Sequence, residues 1–596
     1  MHEISKRGRI VAAKKNGQAY YSYVRTYRVK INPENLGKAR GSGKSKVVTE
    51  SHYLGTAEAI LEKLQTGGAK SVNTKAFGLP CALWKIAQEI DLINIVNKVT
   101  ADKQARKRKV SLGEYIAIAA INQVGHVASK NLLAEWYEKT SLPRVTGISS
   151  EQLTSQHFWN AFEQLVSEKE LEKKKQEEGV RESSKLLYEE LERLLDDSKI
   201  EEIEEQLWKV ITDKYDLALD AVLYDGTNFF TFMDQTTAAS IPQRGANKQK
   251  RFDKRQVGLT LAVLRQWGIP IFHKVYGGQS NEQCLFPTAI SRLVKCYSNI
   301  SKSVEKLTLI FDQGSNSKEH IENLEGQVHF IGALSPCDYP ALSSIPVSQY
   351  PGKYKNVQYH PMLMPVYGKE SLVILTFDPK LQNTQRVTFN QQIDRIQGSL
   401  NSKIKKECSC DLNALKKDIE QDIACRKILS AKASRYLEIK DHTNGSGTRS
   451  LKVVRRKKDV IEKRLTFGKN IVFTDRVDEM PEKVLADYGS KQAVEDDFRL
   501  LKDRFCVSLW PIYHWTDTKI RVHAFVSILA LLLIKLAEHK VRSRGLHIGG
   551  RALVNELQDI TEALVVYNIE EAERKICEMS HNQQEIFDIL GLESFV

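Results

Sequence analysis

Between Tyr488 and Lys502 the chain reads YGSKQAVEDDFRLLK. No Gly or Pro follows Gly489, and helix formers dominate, so the stretch is predicted to be one helix. At 100° per residue Tyr488, Lys491, Glu495, Arg499 and Lys502 fall on one stripe. Val494, Phe498 and Leu501 lie beside it at i, i+4, i+7 spacing and form an apolar anchor. One carboxylate thus sits in a row of cations and a phenol. A solvated charged face is one reading of that pattern. The other is a metal-binding Glu flanked by groups that hold a phosphate backbone. Phosphodiester cleavage has use for such a group: two divalent ions, about 3.5–4 Å apart, activate the nucleophile and stabilise the leaving oxygen. Hard ions such as Mg²⁺ take carboxylate oxygens.

Two further acids follow apolar runs. ALDAVLYDGTNFFTF reads as a strand ending in Asp225, and KLTLIFDQGSNS as a strand ending in Asp312. Functional groups gather at strand ends in open sheets. Alone, each would be a surface carboxylate.

The stretch from Tyr488 resembles the signature of the DDE transposases of the insertion-sequence-four type. Their third catalytic acid lies in Tyr-x2-Arg-x3-Glu-x6-Lys, which Tyr488, Lys491, Glu495 and Lys502 match. Lys491 stands where the family has Arg, keeping the charge and losing the bidentate fork. The continuation WPIYHWTDTKIRVHAFVSILALLL is also similar, and the resemblance spans residues 218 to 540. It implies that Asp225, Asp312 and Glu495 are catalytic and hold two Mg²⁺ (or Mn²⁺) ions. It implies that Tyr488, Lys491 and Lys502 position the scissile strand, with Arg499 in the same task. Thr227, in Asp-Gly-Thr, matches a family position near the first acid; it also reads as a turn hydroxyl. The activity implied is binding of terminal inverted repeats, cleavage to a 3′-OH and joining to target DNA. The partners implied are double-stranded DNA and a second copy of the chain on paired ends. A catalytically inactive DNA-binding derivative and a nuclease of the same fold are the alternatives.

Composition agrees with a nucleic-acid partner. The 596 residues carry a net charge of +14 with pI near 9.1, which favours polyanions. Residues 1–50 hold 12 Lys and Arg against 3 Glu, a net of +9. A basic loop after Asp225, with Arg244, Lys248, Lys250 and Arg251, is the second expected DNA contact. Nine cysteines have no repeated spacing; Cys408 and Cys410 form a lone C-x-C, so reduced thiols are expected rather than a zinc site. Gly43-Lys44-Ser45 lacks the preceding Gly of a phosphate-binding loop and is rejected as one. The start has no signal-peptide core. The apolar run Phe525–Ile534 is too short to span a bilayer and reads as a buried helix. A cytoplasmic, nucleoid-associated protein with no membrane partner is expected.

The elements that must position these residues follow in order. Residues 1–70 read as a basic β-rich segment. Residues 71–166 are helical: a DNA-end-binding domain or a scaffold. Residues 167–217 form a charged helical connector. Residues 218–334 run β-β-β-α-β-α-β, the order of a ribonuclease-H-like α/β catalytic core, which residues 476–540 complete. Asp312 and Glu495 lie too far apart for one connecting helix, so residues 335–475 are expected to form an α+β insertion domain whose strands stay out of the catalytic sheet. Residues 541–596 are expected to be helical. Trp510, His514 and Trp515 pack against the last helices or stack on a base; Arg521 and His523 contact the phosphate backbone or edge the core.

Overall fold

The computed structural model describes the chain except residues 1–7, 31–44, 61–70, 102–109, 126, 167–197, 218, 234–238, 246, 248–250, 252, 281–285, 301–306, 314–316, 325, 407–410, 444–448, 508, 510, 511, 513, 515 and 568–571. Near the N-terminus β1 (Arg9–Lys15), β2 (Gln18–Lys30) and β3 (Ser45–Thr56) form an antiparallel sheet. Asn16 and Gly17 join the first two, with φ of 50° and 81°. Both residues in the left-handed region give the two-residue hairpin whose twist matches its strands.

β4 (Ser71–Ala76) precedes a helical layer: α1 (Gly78–Glu89), α2 (Leu92–Val99), α3 (Leu112–Asn122), α4 (Leu133–Glu138), α5 (Leu142–Thr146) and α6 (Ser155–Phe162). α3 starts on a capping box between Ser111 and Glu114, which satisfies two backbone N–H groups at the helix start. α7 (Ser198–Tyr215) leads into the central sheet.

That sheet holds β5 (Ala221–Phe230), β6 (Gln256–Leu264), β7 (Pro270–Gly277), β8 (Thr308–Phe311) and β9 (His329–Leu334) in the order β7-β6-β5-β8-β9. β6 is antiparallel to β5 and β7, while β5, β8 and β9 run parallel. Every residue of β6 is buried, as a strand covered on both faces requires. α8 (Phe286–Ile300) covers one face, with the Phe286 ring 5.6 Å from Tyr224 and 5.0 Å from Phe311. On the other face His273 stacks on Phe525 at 6.1 Å. α9 (Lys318–Leu324) links β8 to β9.

The expected boundary of the insertion is corrected. After α10 (Pro340–Ser344), strands β10 (Gly352–Tyr354), β11 (Val357–Val366) and β12 (Lys369–Phe377) extend the same sheet, which with β17 has nine strands among the described residues. The chain then leaves the sheet through α11 (Pro379–Lys406), α12 (Leu412–Cys425), β13 (Lys427–Ile428), β14 (Ala431–Lys432), β15 (Leu437–Thr443), β16 (Arg449–Arg455) and α13 (Lys457–Leu465). It returns as β17 (Lys469–Thr474), antiparallel between β12 and β9. The reason lies in β12: from Ser371 to Phe377 it is buried throughout, so it needs cover on both faces. Placing β17 beside β9 also closes an edge whose backbone groups would otherwise be unpaired. Among the described residues, 379–465 stand apart on a core of their own with Phe389, Ile393, Ile419, Tyr436 and Val453, which Phe467 also joins.

α14 (Pro481–Gly489), α15 (Gln492–Lys502) and α16 (Asp517–Ser543) follow. By length and composition α16 could cross a membrane, but 94% of its apolar window is buried inside the fold. It is longer than the apolar run alone indicates. After α17 (Gly550–Gln558) the C-terminal region is not wholly helical. β18 (Thr561–Val566) and β19 (Ala572–Ile576) pair, and β18 also pairs with β4, before α18 (His581–Leu590).

Phe389 is fully buried between Tyr436 and Phe467, at 5.2 and 5.4 Å. Phe389→Ala is expected to cost about 3–5 kcal/mol in the lobe of residues 379–465. Calorimetry should show one transition lowered while the transition of the main core stays in place.

Candidate active site

In the parallel pair β5–β8, Tyr224 lies opposite Phe311. The next residues are Asp225 on β5 and Asp312 just past β8. Adjacent strands lie about 4.8 Å apart, so the register sets the two acids side by side. Their side chains share the face opposite Tyr224, because strand residues alternate. One expectation is corrected here: Asp225 does not end its strand. β5 runs on to Phe230 because β6 pairs with it, from Asp225 opposite Leu261 to Phe230 opposite Gln256. What ends at Asp225 is the parallel pairing.

A second correction concerns Tyr488–Lys502, which is not one helix. α14 closes at Gly489 with Ser490 as its C-cap, and α15 begins after Lys491. Ser490 Oγ donates to the Asp487 carbonyl at 2.5 Å, the local bonding by which Ser competes with a continuing helix. Arg265, at the end of β6, ion-pairs with both Asp220 and Asp487 and ties α14 to the sheet.

The break leaves Tyr488 and Lys491 converging on Asp312. Lys491 Nζ lies 2.9 Å from Asp312 Oδ1. The Tyr488 hydroxyl donates to the same oxygen at 3.3 Å, and the Gln313 backbone N–H at 2.8 Å. Lys491 Nζ also sits 5.0 Å from the Tyr488 ring centre. Burial alone would raise the Asp312 carboxyl, but Lys491 and the other donors together hold it below its ordinary value. Burial pushes the Tyr488 phenol up, and the fields of Asp312, Asp225 and Glu495 push it further. The phenol is therefore a donor at neutral pH.

Glu495 is exposed in the first turn of α15, where the positive end of a helix favours a carboxylate. At the far end of the helix Lys502 Nζ donates to Thr227 Oγ1 at 2.6 Å and lies 5.2 Å from the Phe229 ring centre. Thr227 is thus a strand hydroxyl, not a turn hydroxyl. α15 is anchored by buried Val494, Phe498 and Leu501. The sequence reading missed Asp497 on that same buried side. It is fully buried, 3.6 Å from Lys535 Nζ, and Lys535 is 3.0 Å from Glu538. Burial raises the Asp497 carboxyl well above its usual range against the pull of Lys535. Its spacing from Val494 and Leu501 was the available signal.

Other expected residues do not join this cluster. Arg499 is exposed and pairs with Asp496 at 2.7 Å. Arg244 is exposed in the loop before β6, and Arg251 pairs with Asp253 there at 2.8 Å. Lys248, Lys250, Trp510 and Trp515 lie outside the described residues, as do Cys408 and Cys410. His514 packs between Trp159 and His523, at 5.1 and 4.6 Å, and Arg521 is buried; both serve the core. Among the described residues no three His, Cys, Asp or Glu side chains close around one point tightly enough to hold an ion. The carboxylate donors suit a hard divalent ion chemically, but as placed Asp312 is held by Lys491.

No protein-family model matches the sequence, and no curated protein matches it. Among solved structures, the piggyBac transposase in a synaptic complex with hairpin DNA is similar at 11% identity and a TM-score of 0.33, over 82% of each chain. A likeness that slight carries no argument.

Lys491→Met is expected to raise the Asp312 pKa, measured by carboxyl NMR titration. A depressed carboxyl contributes stability above its unfolded pKa and loses it as pH falls through the folded value. The variant should lack that acid-side loss, so the two stability curves should differ at neutral pH and converge in acid.

Proposed function

We propose that this chain is a DDE-type transposase. It would bind the terminal inverted repeats of its own element, cleave to a 3′-OH and join that end to target DNA. The observation that carries the reading is the β5–β8 register, which sets Asp225 beside Asp312, with Tyr488 donating to Asp312 and Glu495 opening the helix that follows. Two carboxylates come from adjacent parallel strands and one from a helix packed across β5 and β6. The order of elements from β5 to β9, three strands, a helix, a strand, a helix and a strand, supports it too, as the order expected of a ribonuclease-H-like core.

In this reading Asp225, Asp312 and Glu495 would hold two Mg²⁺ or Mn²⁺ ions, which when bound supply nucleophile activation and leaving-group stabilisation. The chain's own cations and phenol do the rest. Lys491 exchanges its carboxylate partner for a phosphate oxygen of the scissile strand. Tyr488, protonated, donates to a second oxygen. Lys502, anchored on Thr227, neutralises a flanking phosphate. Such contacts position the strand without reading sequence. Double-stranded DNA at the ends and target, a homodimer on paired ends, and a cytoplasmic, nucleoid-associated location belong to the same proposal.

The test uses Glu495→Gln, which keeps side-chain size and removes one negative charge. With Mg²⁺ and DNA flanking the gene, the cleavage rate should fall by about 10²–10³ or more. DNA binding should persist or tighten, since a carboxylate near phosphates is gone. Wild-type cleavage by the folded variant would remove the catalytic reading. Cleavage without joining by the wild type would leave a nuclease.

A further inference from the structure

The lobe of residues 379–465 concentrates the charge of the protein. It contains 21 Lys and Arg and 10 Asp and Glu, a net of +11. The other 509 residues therefore share +3 of the total of +14. Residues 1–50 carry +9 of their own, so the remaining 459 residues are net −6 and the excess lies in the arm and the lobe.

Within the lobe the ribbon β15–β16 sorts its residues by face. Leu451 and Val453 are buried toward α11 and α12, and Gln397 donates to the Val453 carbonyl at 3.0 Å. The opposite face is turned to solvent. There Lys440 lies directly across from Lys452, a like-charge pairing that destabilises a sheet. The same alternation continues to Arg456, and exposed Lys457 and Lys458 follow in the first turn of α13. Cations at the positive end of a helix are also unfavourable. Exposed Arg435 borders the group, since the Arg456 N–H donates to the carbonyl of the adjoining Tyr436 at 2.8 Å. Carboxylates there are few. Glu438 touches Lys440 at 3.1 Å and Arg456 at 4.0 Å, and Asp459 lies in the same helical turn. Four of the other eight acids of the lobe are spent internally: Asp394 on Arg455, Asp418 and Asp422 on Lys403, Asp441 on Lys416.

Two placements that cost the isolated fold, on one solvent face, are relieved by a polyanion. We infer that the outer face of the β15–β16 ribbon, with Arg435, Lys440, Lys452, Arg456, Lys457 and Lys458, is a docking surface for the phosphates of duplex DNA, separate from the candidate active site. A two-stranded ribbon fits the major groove, and seven residues span about 24 Å, enough to follow several phosphates. The choice of duplex DNA among polyanions rests on the proposed function; the charged face does not.

The test is fluorescence anisotropy of the full-length protein with a labelled duplex across a KCl series. The variants are Lys440→Gln/Lys452→Gln/Lys457→Gln/Lys458→Gln, the same four positions as Arg, and Glu495→Gln. The Gln variant should flatten the plot of log affinity against log salt by about 3–4, at 0.9 per phosphate contact. It should also bind about tenfold or more weakly at low salt. The Arg variant should bind like the wild type, which separates charge from folding. An unchanged slope and affinity in the folded Gln variant overturns the inference. So does wild-type protein that binds anionic lipid vesicles but not duplex. The two readings fail separately: normal cleavage by Glu495→Gln sinks the catalytic one while a flattened slope still supports the ribbon.

Discussion

The parallel pairing of β5 with β8 places Tyr224 opposite Phe311, and the candidate active site depends on that register. Both residues turn their rings to the face covered by α8, against Phe286. The residues that follow them must therefore turn to the other face, where α15 packs across β5 and β6. A slip of one residue would send Asp225 into the apolar core and Tyr224 toward the cations. The aromatic cluster on one side of the sheet thus holds the acids in place on the other.

Charge balance imposes the second constraint. Asp225, Asp312 and Glu495 act on one phenol, and carboxylates gathered in this way repel one another. Lys491 offsets part of that repulsion from only 13% side-chain exposure, whereas Asp312 is 51% exposed. The cation is therefore more deeply seated than the anion it serves. Beneath α15 the problem recurs with Asp497, Lys535 and Glu538. That buried group fixes the helix against α16, because removing one partner would leave a charge without compensation.

The lobe of residues 379–465 divides the labour of the chain. Its core is separate from that of the rest, so its face can carry cations without disturbing the acids at β5 and β8. Its two ends join the sheet at β12 and β17. β17 is followed by α14, which bears Tyr488.

Residue spacing alone determined a good deal. The strands that carry Asp225 and lead to Asp312, the apolar anchor Val494, Phe498 and Leu501, and the order of the central strands along the chain were legible, though not where β5 ends, because short-range periodicity reports which face of an element is buried. The tertiary structure decided what depends on long-range pairing. Whether SLVILTF and NIVFTD build their own sheet or extend another cannot be read from apolar runs; it depends on which edge is left open, and β9 supplied it. The helix break at Ser490 follows Gly489, a poor helix former, and that local signal was outweighed by the strong helix formers beyond it. β18 was unforeseen because its partner β4 lies far away in sequence. Asp497 looked like one more member of an acidic run, and only the packing of α15 on α16 made it a buried charge. Net charge was visible from composition, but its concentration on one ribbon face required knowing which residues share a core.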